Sequence, residues 1–161
     1  MTQAELARSP QAQAGNQAVF RLIYRSRSKI AAARLDTELG NILRVARANN
    51  SAKNITGALL VYDNWFAQAL EGNEDAVREL YAHIARDSRH DTVEVREEGM
   101  AGMRVFSRWS MALVGEHGES DIPLAATSTG TTPAAARPAT SDQDRVLAIM
   151  RDATRGYGRG S

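Results

Sequence analysis

Asn50–Gly72 reads NSAKNITGALLVYDNWFAQALEG, and its two apolar runs, ITGALLVY and WFAQALEG, are separated only by Asp63 and Asn64. Two turn-prone residues between β-rich runs predict a tight antiparallel hairpin. Side chains alternate along a strand, so Phe66, Gln68 and Leu70 share one face. Gln68 therefore interrupts an apolar surface. An amide buried there needs partners, because each unsatisfied polar group costs about 1–3 kcal/mol.

Working outward, Val19–Ser26 (VFRLIYRS) reads as a first strand, with Phe20, Leu22 and Tyr24 on its more apolar face. A helix is predicted over Asp36–Ala48, with Asp36 or Thr37 as N-cap. Its stripe is Leu35, Leu39, Ile42, Leu43 and Ala46. Asn49 and Asn50 are expected to close it, since asparagine tolerates the left-handed conformation. After the hairpin, Gly72 and Asn73 open a second helix, Glu74–Arg86, striped by Val77, Leu80, Tyr81 and Ile84. A strand near Thr92–Glu97 and a last strand over Arg108–Val114 follow, the latter carrying Trp109, Met111 and Leu113 on one face.

The order β-α-β-β-α-β-β is the α+β ferredoxin-like arrangement with one added strand: a five-stranded mixed sheet with two helices on one face. Residues 1–17 read as a flexible extension, with a short helix around Ala4–Arg8. Residues 18–115 form the folded domain, and 116–161 a linker and C-terminal helical tail. Within that tail Pro123–Thr140 is too small and polar to build a core. Asp142–Thr154 is amphipathic through Val146, Leu147, Ile149 and Met150. The uncovered second face of the sheet is a place for this helix, or another subunit, to dock.

Composition narrows the function. The 161 residues are 43% hydrophobic with a formal net charge of +1, so no overall field favours nucleic acid or an anionic membrane. Lys29 and Lys53 are the only lysines, and cysteine is absent. That excludes disulfides, thiolate zinc sites and a cysteine nucleophile. No apolar run reaches the ~20 residues that span a bilayer, and the N-terminus lacks the apolar core of a signal peptide. The expectation is a soluble cytoplasmic protein.

Enzyme signatures are missing: the chain has no GxGxxG, Walker loop, GxSxG or HExxH. His83, His90 and His117 give no metal-ligand spacing, so no metal is expected. Singly, the polar candidates have bland readings: Tyr24 as a core aromatic, Gln68 as a structural amide, Asn50 as a helix end. Arg89 and His90 are placed to favour a helix dipole, and Trp109 and Met111 to fill core. Together, Tyr24, Asn50 and Gln68 converge beneath the helices, around an apolar pocket of the kind that takes a small molecule. Such a ligand is flat and apolar, with polar edges for Asn50 and Gln68.

These residues carry a resemblance. LIYRS, NNSAKNITGALLVY, FAQALEG, RDSRH and FSRWSM match, in order and spacing, the BLUF domains, the flavin-binding blue-light sensors. The resemblance runs from about Val19 to Gly115. It implies non-covalently bound FAD (FMN or riboflavin as substitutes) between the two helices. It also implies Tyr24 as light-driven electron and proton donor and Gln68 as the bridge that changes its hydrogen bonds. Asn50 would hold the carbonyl edge of the ring, with Arg89 and His90 beside it and Trp109 and Met111 as signal relay. The protein is then a photoreceptor and not an enzyme. Residues 116–161 are far short of the ~100 of a typical catalytic domain, so output passes through the C-terminal segment to a separate downstream partner or through self-association, and a homo-oligomer is expected. Two rivals remain: a ferredoxin-like RNA-binding module, which lacks its aromatic pattern and basic field, and a small flavin-dependent or acyl-phosphate-hydrolysing enzyme, which lacks a catalytic constellation.

Overall fold

The computed structural model describes residues 18–115, 120–127, 130–133 and 141–155. The expected N-terminal extension with its short helix, His117 and the GYGRGS end lie outside them. The elements in order are β1 (Val19–Ser28), a single 3-10 turn (Ala32–Arg34), α1 (Leu35–Ala52), β2 (Thr56–Tyr62) and β3 (Trp65–Gly72). Then come α2 (Glu74–Ala85), β4 (His90–Ala101), β5 (Ala112–Gly115), β6 (Ile122–Thr127), β7 (Gly130–Pro133) and α3 (Ser141–Arg155). The expected five-stranded mixed sheet is present as β4-β1-β3-β2-β5, and β6 and β7 extend it past β5. β5 runs parallel to β2, while β1, β2, β3 and β4 pair antiparallel.

The hairpin closes as its sequence predicts. Tyr62 pairs with Trp65, and Asp63 takes a left-handed φ of 59°, which a two-residue hairpin turn of matching twist requires. Gly57 in β2 has a separate reason to be glycine: a Cβ there would lie 2.1 Å from the Ala69 carbonyl oxygen.

Several boundaries differ from expectation. α1 starts at Leu35 on the preceding 3-10 turn, so Asp36 falls in the first turn and not at the cap. There its charge complements the helix dipole. The helix runs past Asn49 and Asn50 to Ala52, and Asn54 takes the left-handed conformation (φ 58°). Asn50 thus faces inward from the last turn. β4 is longer than predicted and begins at His90. β5 is shorter: Phe106–Met111 is a turn in which Trp109 N–H donates to the Phe106 carbonyl (3.0 Å). Strand alternation therefore does not reach Trp109, and it does not share a face with Met111 and Leu113. β6 and β7 arise from a stretch read as linker, because their pairing is a backbone ladder that needs no large side chain.

The sheet separates two cores. On one face Phe20, Leu22, Tyr24, Leu59, Phe66, Leu70 and Met111 pack with α1 and α2. On the other, Ile23, Ala58, Leu60, Ala67, Ala69 and Val114 pack with Val146, Leu147, Met150 and Ala153 of α3, and Trp109 packs here. The C-terminal helix docks on the second face. Arg25 helps hold it: its guanidinium bonds Glu94 (2.7 and 3.0 Å) and the Ala153 carbonyl (3.2 Å), near the negative end of the α3 dipole. Beneath it, Glu71 is fully buried and accepts from Arg21, Thr56 and the backbone of Val105 and Phe106. A buried carboxylate needs such a full set of donors.

Candidate functional site

Between α1 and α2, above β1 and β3, lies a cleft of about 230 Å³. Ile42, Val45 and Ala46 of α1 and Leu80 and Ile84 of α2 form its apolar walls, and Leu59 and Phe66 its floor. Tyr24, Asn50, Gln68, Arg89 and His90 all line it. Five residues singled out from four separate parts of the chain are therefore brought to one cavity.

Tyr24 and Gln68 are directly opposite in the β1–β3 ladder, which aims both side chains to the same face. The Tyr24 hydroxyl donates to Gln68 Oε1, and Gln68 Nε2 reaches Met111 Sδ at 3.5 Å. Both residues are buried. Burial, followed by the neighbouring Tyr81 and Asp87, pushes the Tyr24 phenol far above its ordinary range, so it stays protonated and remains a donor. Its ring packs against Tyr81 at 5.4 Å and edge-on to His90 at 6.3 Å.

Asn50 enters from the end of α1, its Nδ2 donating to the Ser110 carbonyl (2.9 Å). His90 is held at both nitrogens. Nε2 is 2.8 Å from the Ile84 carbonyl and Nδ1 is 2.7 Å from the Ser26 hydroxyl. A carbonyl only accepts, so Nε2 carries a proton and donates it to Ile84. His90 offers the cleft a ring surface. Arg89 stands at the mouth, gripped by both oxygens of Asp87 (2.6 and 2.9 Å) with Glu38 at 3.7 Å. The hydrogen bond from Arg89 lowers the Asp87 carboxyl to about 2.

Met111 meets the site through Gln68. Trp109 does not enter the cleft and packs on the opposite core. Asn41, Asn49, His83 and Asp87 also line the cleft but were not singled out from sequence as site residues. Asn41 and Asn49 stand at i and i+8 with Val45 between them at i+4, a row beside the apolar stripe of α1, and that spacing was the available signal. A cavity with apolar walls and amide and guanidinium groups at its edges suits a flat aromatic ring system with polar rims. Among the described residues no cluster of His, Asp and Glu could hold a metal ion, and no helix is long and apolar enough to cross a membrane.

A family profile described as sensors of blue-light using FAD matches residues 19–112. Subunit beta of a photoactivated adenylate cyclase from Euglena gracilis is 34% identical over 121 residues, covering 74% of this chain and 14% of that protein. Subunit alpha from the same organism is 42% identical over 79 residues, 49% of this chain and 8% of that protein. The chain thus spans a small fraction of the length of these relatives. Among solved structures, BlsA in its photo-activated state shares 33% identity at a TM-score of 0.59, covering 62% of this chain and 71% of that one. BlrB, a BLUF protein in its dark state, shares 32% at 0.56, over 61% and 73%. BlrP1 of Klebsiella pneumoniae, in a manganese and cyclic-diGMP complex, shares 25% at 0.61, over 85% of this chain and 34% of that one.

Proposed function

The chain belongs to the BLUF family of blue-light sensors, and from that premise we propose that it is a photoreceptor whose switch is the Tyr24–Gln68–Met111 chain at the head of the cleft. The observation that carries this reading is the buried hydrogen bond from Tyr24 to Gln68, continued to the Met111 sulfur. The donor set fits a flavin: apolar walls for a tricyclic ring, Asn50 for its carbonyl edge, and Arg89 with the His90 ring beside it. FAD is the form proposed, with FMN or riboflavin as substitutes. A bound flavin supplies blue absorption and, when excited, an acceptor for one electron.

The rest is the work of the chain's own residues. Tyr24, kept neutral by burial, would give up an electron and, along its bond to Gln68 Oε1, a proton, and would recover both so that no net product forms. Gln68 carries a donor at one end and an acceptor at the other. Turning the amide, or moving its proton, reverses the pattern seen by Tyr24 without shifting the backbone. A thioether accepts but cannot donate, so Met111 distinguishes an amino group from a carbonyl oxygen. In a buried site that difference is larger than in water.

Met111 and Trp109 serve as relay by spanning the sheet, one against Gln68 and the other against the α3 core. Output then runs through β5 and the C-terminal segment to a downstream partner, by population shift rather than new chemistry. Catalysis of the kind named in the Euglena relatives would belong to that partner. We place the protein in the cytoplasm as a homo-oligomer, with neither nucleic acid nor membrane as partner.

An absorption spectrum in darkness and after blue light tests this. The purified protein is expected to show a flavin spectrum that shifts slightly to the red and reverts in the dark. Gln68→Leu is expected to keep the flavin and lose the reversible shift. Colourless protein that FAD cannot reconstitute sinks the proposal, and an intact shift in Gln68→Leu removes Gln68 as the switch.

A further inference from the structure

Met111 is useful as a sensor only if its sulfur is held still against Gln68, and the residues that hold it lie outside the cleft. Arg47 projects from α1 and donates through Nε to the Met111 carbonyl at 2.9 Å. Its Nη2 donates to Asp121 Oδ2 at 2.8 Å. The same carboxylate oxygen accepts the Leu113 N–H at 2.8 Å, and the Asp121 N–H donates back to the Leu113 carbonyl at 2.8 Å. One turn further along α1, Asn50 holds the adjacent Ser110 carbonyl. The start of β5 is thus clamped from α1 on one side and from the head of β6 on the other.

We infer that Arg47 and Asp121 are positioning residues of the photoswitch, which fix Met111 in register against Gln68 and tie that register to β6. The inference rests on the proposed role of Gln68 and Met111. Arginine is the residue such a clamp needs, because its planar fork serves two acceptors in fixed directions. The Arg47 and Asp121 side chains are 43% and 33% exposed, and an ion pair that open adds little to folding stability. The pair's effect is therefore on geometry. Without it the Ser110–Leu113 segment can slide relative to Gln68, which changes the barrier between the two amide arrangements. The light-induced state then decays at a different rate, although Tyr24, Gln68 and the cleft are intact.

The experiment compares flavin-loaded wild type with Arg47→Met, Asp121→Asn and the double variant, measuring the red shift and its dark-recovery rate. The expected result is an unchanged flavin content and red shift in all four. Recovery changes by about three-fold or more in each single variant, and the double variant changes no more than the larger single, as partners in one clamp require. Arg47→Lys, which keeps the charge but not the fork, is expected to recover at a rate between Arg47→Met and wild type. Arg78→Met, which removes surface ion pairs to Glu74 and Glu98, is expected to recover like wild type. Recovery rates equal to wild type in both single variants overturn the inference, as do additive effects in the double variant or an equal change in Arg78→Met. A wild type with flavin bound but no reversible shift overturns the reading of the switch itself, and the positioning role falls with it.

Discussion

Gln68 meets a hydroxyl at one end and a thioether at the other, and the proposed switch role rests on this pair of partners. The sequence exposes Gln68 because period-two alternation puts it among apolar neighbours, and Tyr24 because its strand has the same pattern. Neither pattern reveals that the two are cross-strand partners, since pairing register depends on the whole sheet. Asp87 was not legible at all: it is one charged residue in a polar turn until Arg89 folds back on it. The Arg89 hydrogen bond lowers the Asp87 carboxyl from 3.8 to about 2. A group with a lowered folded pKa contributes stability above its unfolded value, and that contribution is lost as pH falls from about 3.8 through 2. The Asp87 side chain is 33% exposed, so solvent screening keeps the contribution small. Carboxyl titration by NMR is expected to place Asp87 near 2 in the wild type and closer to 3.8 in Arg89→Gln; an unmoved value would mean that Arg89 is not the cause. Tyr24 works in the opposite sense. Its raised phenol leaves stability intact below about pH 10 and removes it as the unfolded chain ionises at higher pH.

Two glycines in the elements that position the site differ in whether a side chain fits. In β2, Gly57 faces the Ala69 carbonyl so closely that any Cβ would overlap it at 2.1 Å. In α1, exposed Gly40 has nothing within 4 Å of a built Cβ. Gly57→Ala is therefore expected to lower stability by about 1–3 kcal/mol or more, through displaced backbone in the central hairpin. Gly40→Ala is expected to raise it by roughly 0.5–1 kcal/mol, by lowering the entropy of the unfolded chain. Chemical denaturation of both variants checks the pair, and equal effects of one sign would refute the assignment. The same elements show where sequence patterns succeed. The hairpin and both cleft helices were readable because each carries a strong period and a turn or cap signal. β5 was misjudged because apolar spacing cannot say where a turn ends and a strand begins. Trp109 and Met111 are two residues apart, yet they lie on opposite sides of the sheet because a turn intervenes.

At the scale of the molecule, the two faces of the sheet divide the labour. One forms the cleft with α1 and α2; the other is covered by α3, whose Val146 and Met150 are fully buried. The sequence marks α3 as amphipathic and the second sheet face as uncovered, but it leaves open whether this helix or another subunit covers that face, because an unpartnered sheet face and an amphipathic helix need not meet. No α3 residue lines the cleft, so the two faces can be perturbed separately. Met150→Asp places a charge in the α3 core, and an uncompensated buried charge costs several kcal/mol. Releasing α3 is the cheaper outcome, since the helix can leave while the Tyr24–Gln68 face keeps its packing. Amide hydrogen exchange is expected to show fast exchange across Ser141–Arg155 in Met150→Asp, with β1 and β3 still protected and the reversible red shift retained. A protected α3 would show that its docking does not depend on Met150. Loss of the shift together with release of the helix would show that the cleft requires the far face, and that α3 is part of the sensor rather than its readout.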